Sequence, residues 1–361
     1  MVELDKERRE QYTTKVKEDF PDSLPIPIFR KKMSLRYGQN PGNPSAFYEE
    51  KEACGPNMSN FEVLQEGKGL GYINLGDMDL GQKVVKTLHD NYPGKVACCI
   101  IKHETPSGVG IDTDSFKAFN KAWHCDSLSS FGGVHVFSGI IFDNLAYELI
   151  KEEKNAEVIY APQFTTNALN VLMKRKSLRV VKMNDINLSS IDNGLDYKRL
   201  DGGMLVEKRN YLRTLKTSDI EIVSHRIPSS DEISSAIFTW IIAAFTRSNA
   251  VVIGTKDKTN GIGSGQRSRI DAAEQSIYFS NGRNGRSKGY GSQGTFMASD
   301  AYMPHTDVVE LAAQNGVTGI IYPLGSIKDK EVIKLADDKG LAMIITRKPG
   351  THESERAFLH R

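Results

Sequence analysis

Cysteine is scarce in this 361-residue chain, and its four copies, Cys54, Cys98, Cys99 and Cys125, form no C-x-x-C pair. Cys98 and Cys99 are adjacent inside an apolar run, where they cannot pair with each other. A disulfide framework is therefore excluded, and a reducing cytoplasm is the expected compartment. Long hydrophobic runs are missing too. The longest near-continuous one, 237–245, is interrupted by Thr239 and is too short to span a bilayer. The first 20 residues are rich in Lys, Arg, Glu and Asp and contain no apolar h-region, so no secretory signal is expected. There is no surplus of one charge: 47 Lys+Arg stand against 45 Asp+Glu. That balance argues against a nucleic-acid footprint or a membrane-surface protein. Zinc chemistry of the deaminase kind needs H-x-E and P-C-x-x-C. His103 is followed directly by Glu104, and P-C-x-x-C occurs nowhere, so no metal site is expected.

What is present is an ordinary globular mixture arranged as strands alternating with helices. VACCII at 96–101, EVIYA at 157–161, AVVI at 250–253, GIIY at 319–322 and AMII at 342–345 read as strands buried on both faces. Between them, 115–123 places Phe116, Phe119 and Trp123 at helical spacing. Ser229 to Glu232 has capping-box spacing before an apolar stretch at 236–245, and Ser326 is placed to cap a helix over 327–336. The alternation predicts an α/β fold with a mostly parallel or mixed sheet. Residues 1–33 read as a charged, then Pro-rich arm, 34–226 as a first lobe and 227–361 as a second. No internal repeat of short fixed period is visible.

Five segments carry candidate chemistry. KHETPSG at 102–108 follows a buried strand and turns through Pro106 and Gly108. His103 can take a proton near neutrality, and Lys102 beside it can stabilise negative charge. Taken alone, the pair is equally an exposed strand end. Arg36 and Tyr37, in SLRYGQNP at 34–41, can grip a phosphate or carboxylate, or can belong to a basic surface loop. GIGSGQRSR at 261–269 permits close backbone approach to a ligand, but fits neither a dinucleotide fingerprint nor a P-loop. DSLSSFGG at 126–133 offers one ring, Phe131, for stacking on a flat ligand. RAFLH at 356–360 sits at a chain end, where fraying is the ordinary expectation. The Gly-, Ser- and Arg-rich stretch 280–293, with Arg283, Arg286 and Lys288, reads as a solvated loop.

Taken in order, these segments resemble the formyltransferase region of the bifunctional purine enzymes that join AICAR transformylase to IMP cyclohydrolase. LRYGQNP (35–41), KHETPSG (102–108), SSFGG (129–133), Gly202-Gly203, SNAV (248–251), GIGSGQRSR (261–269), ASDAYMP (298–304), Gly325-Ser326 and RAFLH (356–360) carry the resemblance. It spans roughly residues 34–361, so the family's preceding cyclohydrolase domain is expected to be absent, leaving ring closure to a separate protein. Two departures stand out: Gly42-Asn43 follows Asn40-Pro41 where the family has His-Gln, and Tyr302, Met303 and His305 replace aromatics.

The resemblance implies two tandem cytidine-deaminase-like α/β/α lobes without a zinc site. It also implies transfer of a formyl group from 10-formyltetrahydrofolate to the 5-amine of AICAR. By the same resemblance His103 accepts the proton, Lys102 stabilises the oxyanion or protonates the leaving nitrogen, and Asn249 orients the formyl oxygen and His103. Arg36, Tyr37, Gly132 and Glu157 correspond to one set of substrate contacts. His103, Asn249, Arg269, Tyr302 and Arg356 correspond to a second set, supplied by the other chain of a homodimer. Phe358 and His360 would help close the site. Ile270, Asp307, Ser326 and Ile327 correspond to folate contacts, with Phe131 as a stacking ring. A monovalent cation near Asp300 is also implied. Two alternatives remain at this level: a non-catalytic nucleotide- or folate-binding regulator, and a formate- and ATP-dependent ligase making the same product.

Overall fold

A computed structural model describes residues 17, 19–50, 57–184, 186–187, 194–209 and 216–347. Its centre is a twelve-stranded mixed sheet. The strands are β1 (Glu62–Gln65), β2 (Val96–Ile101), β3 (Pro106–Asp112), β4 (Val134–Phe137), β5 (Val158–Ala161), β6 (Arg179–Lys182), β7 (Ile220–Ile222), β8 (Val251–Thr255), β9 (Lys258–Gly263), β10 (Phe296–Ser299), β11 (Gly319–Tyr322) and β12 (Ala342–Thr346). They lie in the order β7-β12-β11-β10-β8-β9-β3-β2-β4-β5-β6-β1. The helices around them are α1 (Tyr72–Asn91), α2 (Ser115–Trp123), α3 (Asp143–Leu149), α4 (Thr166–Leu172), α5 (Ser230–Ala244), α6 (Arg269–Ser280), α7 (Asp307–Gln314) and α8 (Asp329–Asp338).

The order contains a repeat too long to show as a short sequence period. The run β1-α1-β2-β3-α2-β4-α3-β5-α4-β6 recurs as β7-α5-β8-β9-α6-β10-α7-β11-α8-β12. Strand directions recur with it. β2 and β8 are antiparallel to both neighbours, β4-β5-β6 and β10-β11-β12 are parallel, and β1 and β7 close the outer edges antiparallel. The halves meet where β3 and β9 pair antiparallel at Gly110 and Lys258. Thr259 is buried at this seam, accepting from the Val109 N–H (2.9 Å) and donating to the Val109 carbonyl (3.3 Å). The two halves thus share one continuous sheet, with β7 on the outer edge of the second.

Period-two alternation divides the core into layers. Cys99, Ile101, Val109, Tyr160, Val252 and Ile344 face a single core shared by α1 and α5. Cys98, Ile100, Ile159 and Val180 face α2, α3 and α4, and Val251, Ile253, Met297 and Met343 face α6, α7 and α8. Adjacent Cys98 and Cys99 therefore point into different cores. The Asp114 side chain caps α2 by accepting from the Lys117 N–H, and Ser229 and Glu232 form the expected capping box on α5. The helix expected from 327 begins at Asp329 instead. Asp329 Oδ2 accepts from the N–H groups of Gly325 (2.8 Å) and Ser326 (3.1 Å), while Ser326 Oγ accepts from the Lys328 N–H (3.1 Å), so the two residues organise the start together.

The glycines of β9 have a packing role rather than the ligand approach that their spacing suggested. A Cβ on Gly261 would lie 1.9 Å from the Ser276 carbonyl oxygen, and one on Gly263 1.9 Å from that of Ala272. The same device recurs in β3, where a Cβ on Gly108 would lie 2.0 Å from the Ala122 carbonyl oxygen. Each Gly-x-Gly lets a helix backbone rest directly on its strand. Gly263→Ala is expected to cost at least about 1–3 kcal/mol through overpacking, read as a lower urea midpoint. An unchanged midpoint would show that α6 can retreat freely.

Candidate active site

β2 and β8 run in opposite directions, with β3 and β9 between them. The carboxyl end of β2 and the amino end of β8 therefore reach the same rim of the sheet. So do the amino ends of β4, β5 and β6 and the carboxyl ends of β9, β10 and β11. This one rim collects Lys102 and His103 after β2, Phe131 and Gly132 before β4, and Glu157 before β5. It also collects Asn249 before β8, Arg269 at the start of α6, Tyr302 after β10, and Ser326 and Ile327 after β11. The usual rule places ligands beyond carboxyl ends; in the first half it is the amino ends of the parallel strands that meet the site.

β2 stops at Ile101 because His103 and Glu104 take left-handed backbone angles, φ 55° and 56°. The turn is closed by the Lys102 N–H donating to the Thr105 carbonyl at 2.9 Å. Pro106, expected within the turn, instead opens β3 and pairs with Ile101. Lys102 Nζ donates to the Phe131 carbonyl at 2.8 Å. That tethers the ammonium group to the turn containing Gly132, whose φ of 75° suits glycine. Phe131 itself is 46% exposed.

Glu157 accepts from Asn74 Nδ2 on α1 at 3.0 Å and lies 3.6 Å from Arg179 Nη1. Arg179 is buried at the start of β6 and donates from Nε to the Gly69 carbonyl at 2.8 Å. The Arg36 N–H donates to the Leu70 carbonyl at 2.9 Å, and its exposed guanidinium lies 5.2 Å from the Tyr37 ring centre. No carboxylate among the described residues pairs with Arg36, so its charge faces outward. The sequence reading did not find Asn74, Asp77 or Arg179. A signal existed for the first two: spaced three apart, they share one face of an otherwise core-directed helix.

The second-half residues form a connected unit. Asn249 Nδ2 donates to the Gln266 carbonyl at 2.9 Å, and its Oδ1 accepts from Arg269 Nη2 at 2.8 Å. Arg269 Nη1 donates to the Ala250 carbonyl at 3.0 Å and pairs with Asp300, whose Oδ1 also accepts from the Ala250 N–H at 3.1 Å. Arg269 is thus committed to its own chain, where it fixes Asn249. Ile270 packs on the core beneath α6. Asp307 Oδ1 accepts from its own helix at the Val308 N–H, 2.9 Å. Ile327 is 75% exposed and Tyr302 is half-buried. Arg356, Phe358 and His360 lie outside the described residues.

Between the halves, a cavity of about 500 Å³ is lined by Lys102, His103, Asp126, Ile262, Gln275 and Arg283. Arg283 was expected in a solvated loop. It instead pairs across the seam with Asp126 and Ser129 and packs over the Phe279 ring at 4.2 Å. Among the described residues there is no group of three or more His, Cys, Asp or Glu arranged for a metal, and no helix is long and apolar enough to cross a membrane.

The family model described as AICARFT/IMPCHase bienzyme matches residues 4–278. The chain is 34% identical over 332 residues to the bifunctional purine biosynthesis protein PurH of Polynucleobacter necessarius subsp. necessarius, covering 92% of this chain and 61% of that protein. It is 37% identical over 327 residues to PurH of Acidithiobacillus ferrooxidans, with 91% and 59% covered. Against PurH of Clostridium botulinum (strain Hall) it is 37% identical over 331 residues, with 92% and 61% covered. The chain thus spans about 60% of the length of the curated relatives it matches. With a match over most of its length and with Lys102, His103 and Asn249 gathered on one rim, this chain belongs to the AICARFT/IMPCHase bienzyme family.

Proposed function

We propose that the chain is an AICAR formyltransferase of purine biosynthesis, using 10-formyltetrahydrofolate as the formyl donor. The observation that carries this is the meeting of Lys102–His103 and the Asn249–Arg269 unit on one rim, beside the cavity at the seam. The AICAR 5-amine is a poor nucleophile because its lone pair is delocalised into the ring. As it attacks the formyl carbon, His103 takes the amine proton. Lys102, with two ammonium hydrogens beyond the one given to Phe131, donates to the developing oxyanion or to the departing folate nitrogen. Asn249, held at both ends of its amide, keeps one Nδ2 hydrogen for the formyl oxygen. The C–N bond to folate then breaks, and the transferred formyl group remains on the amine.

Arg36 and Tyr37 would bind the nucleotide, Arg36 through its phosphate, with Gly132 and Glu157 beside them. Tyr302, with Arg356, Phe358 and His360 from the terminal segment, would complete that pocket. Phe131, Ile270, Asp307, Ser326 and Ile327 would meet the folate. The remainder of the reading is a cytoplasmic homodimer with composite sites, each half of the sheet a cytidine-deaminase-like lobe, with ring closure done by a cyclohydrolase. A monovalent cation beside Asp300 has one feature in its favour: buried Asp300 Oδ2 has no hydrogen-bond partner.

The test is formyl transfer to AICAR from 10-formyltetrahydrofolate, run beside a reaction supplied with formate and ATP. Product only in the second would mean a ligase, and binding without product a regulator. Arg36→Ala is expected to raise the AICAR KM about tenfold or more through loss of a charge-assisted contact worth roughly 1.5–3 kcal/mol. The dephosphorylated riboside should lose little from the same change. Equal losses for the two would move Arg36 away from the phosphate.

A further inference from the structure

Beneath the Lys102–Thr105 turn lies a carboxyl group that the mechanism above leaves unused. Asp77, on α1, is 3% exposed. Its Oδ1 accepts from the backbone N–H of Glu104 at 2.6 Å, and the His103 N–H is directed at the same group. Both donors belong to the residues with left-handed backbone, which side chains with a Cβ ordinarily avoid. Glu104 also lies on α1 at the neighbouring residue. A Cβ on Gly76 would sit 2.6 Å from its carboxylate oxygen, so the turn is seated on the Gly76–Asp77 step. One helical turn earlier, Asn74 holds Glu157. A single face of α1 therefore holds both the His103 turn and Glu157.

We propose that Asp77 is a positioning residue: its carboxyl group fixes the left-handed His103–Glu104 turn and so sets where the imidazole stands relative to Lys102. The proposal rests on the formyl-transfer reading of this rim. The groups facing Asp77 are Glu104 and His103 from the turn and Glu157 ahead of β5, which is itself countered by Arg179. Burial, with smaller contributions from Glu104 and Glu157, raises the Asp77 pKa to about 7 against the pull of the two backbone N–H groups. An ionised carboxylate accepts more strongly than a neutral acid, so the turn tightens as pH rises through neutrality. The stability sign is opposite. The folded chain keeps a proton that the unfolded chain loses near pH 4, so the stability Asp77 contributes is full below that pH and declines up to about pH 7.

The experiment compares wild type, Asp77→Asn and Asp77→Ala by kcat, AICAR KM, pH profile and the NMR titration of the His103 imidazole. Asn keeps an acceptor without the charge. It should hold kcat within about fivefold and change the shape of the acid limb. Ala should lower kcat roughly 10–100-fold with KM nearly unchanged, as expected for a displaced reacting group, and should shift the His103 resonance. A folded Ala variant with wild-type kcat and an unmoved resonance overturns the proposal. So does a parallel loss of KM and kcat in both variants. If Ala does not fold, an acid limb unchanged in Asn overturns it. If wild type transfers no formyl group, the function reading fails on its own; the His103 titration still decides, and an identical curve in wild type and Ala overturns the positioning role.

Discussion

His103→Ala is expected to lower kcat for formyl transfer about 10²–10⁴-fold, the usual cost of removing a general base, while AICAR binding changes little. The proton moves only in the reaction, so the loss belongs in kcat. The residue is presented on a turn whose backbone is fixed from both sides, by Asp77 beneath Glu104 and by the Lys102 tether to Phe131. Truncating the imidazole therefore leaves the rest of the rim in place. Lys102→Ala should be comparably damaging. Lys102→Arg should rescue only part, since a guanidinium cannot give up its proton. A His103→Ala enzyme keeping half or more of wild-type kcat would remove the residue from the chemistry.

The largest stability effect is expected at Arg269. Asp300 is 1% exposed and Arg269 7%, and each is the other's charge partner. Arg269→Ala strands the Asp300 carboxylate in the core, and breaking a buried pair from one side costs about 3–5 kcal/mol. For a chain of this size that is a fall in Tm of roughly 4–7 °C. Adding Asp300→Asn should return much of it, because the stranded charge is gone and Asn can still accept from the Ala250 N–H. A single-variant loss under about 1 kcal/mol in urea unfolding would mean that water reaches the pair. Activity should fall in either case, because Asn249 loses the guanidinium that holds its Oδ1.

The sequence was most legible where one element decides the outcome alone. The apolar runs at 96–101, 319–322 and 342–345 became strands with little or no change of limits because burial on both faces needs nothing else. The capping box at Ser229 and Glu232 is likewise local. What escaped depended on distant partners. Gly261 and Gly263 looked like part of a ligand loop, since a helix backbone pressed onto β9 leaves no trace in the residues of β9 itself. Arg283 looked solvated because its partner, Asp126, is far away in the chain. Asp77 did not stand out, because the His103 turn that rests on it comes from a different element. The two-fold repeat escaped for a further reason: its halves keep element order and strand direction, not side chains.

Two halves related through β3 and β9 would, if identical, offer two equivalent hairpin turns on opposite rims. The turn after β2 is Lys102–Thr105, and it opens on the cavity. Its counterpart after β8 is short, and Asp257 in it accepts from the Ile111 N–H through its backbone carbonyl and takes Lys121 Nζ on its carboxylate. The two corresponding turns therefore do different work: one lines an opening between the halves, while the other fastens the halves together, so the two rims of the sheet are not interchangeable.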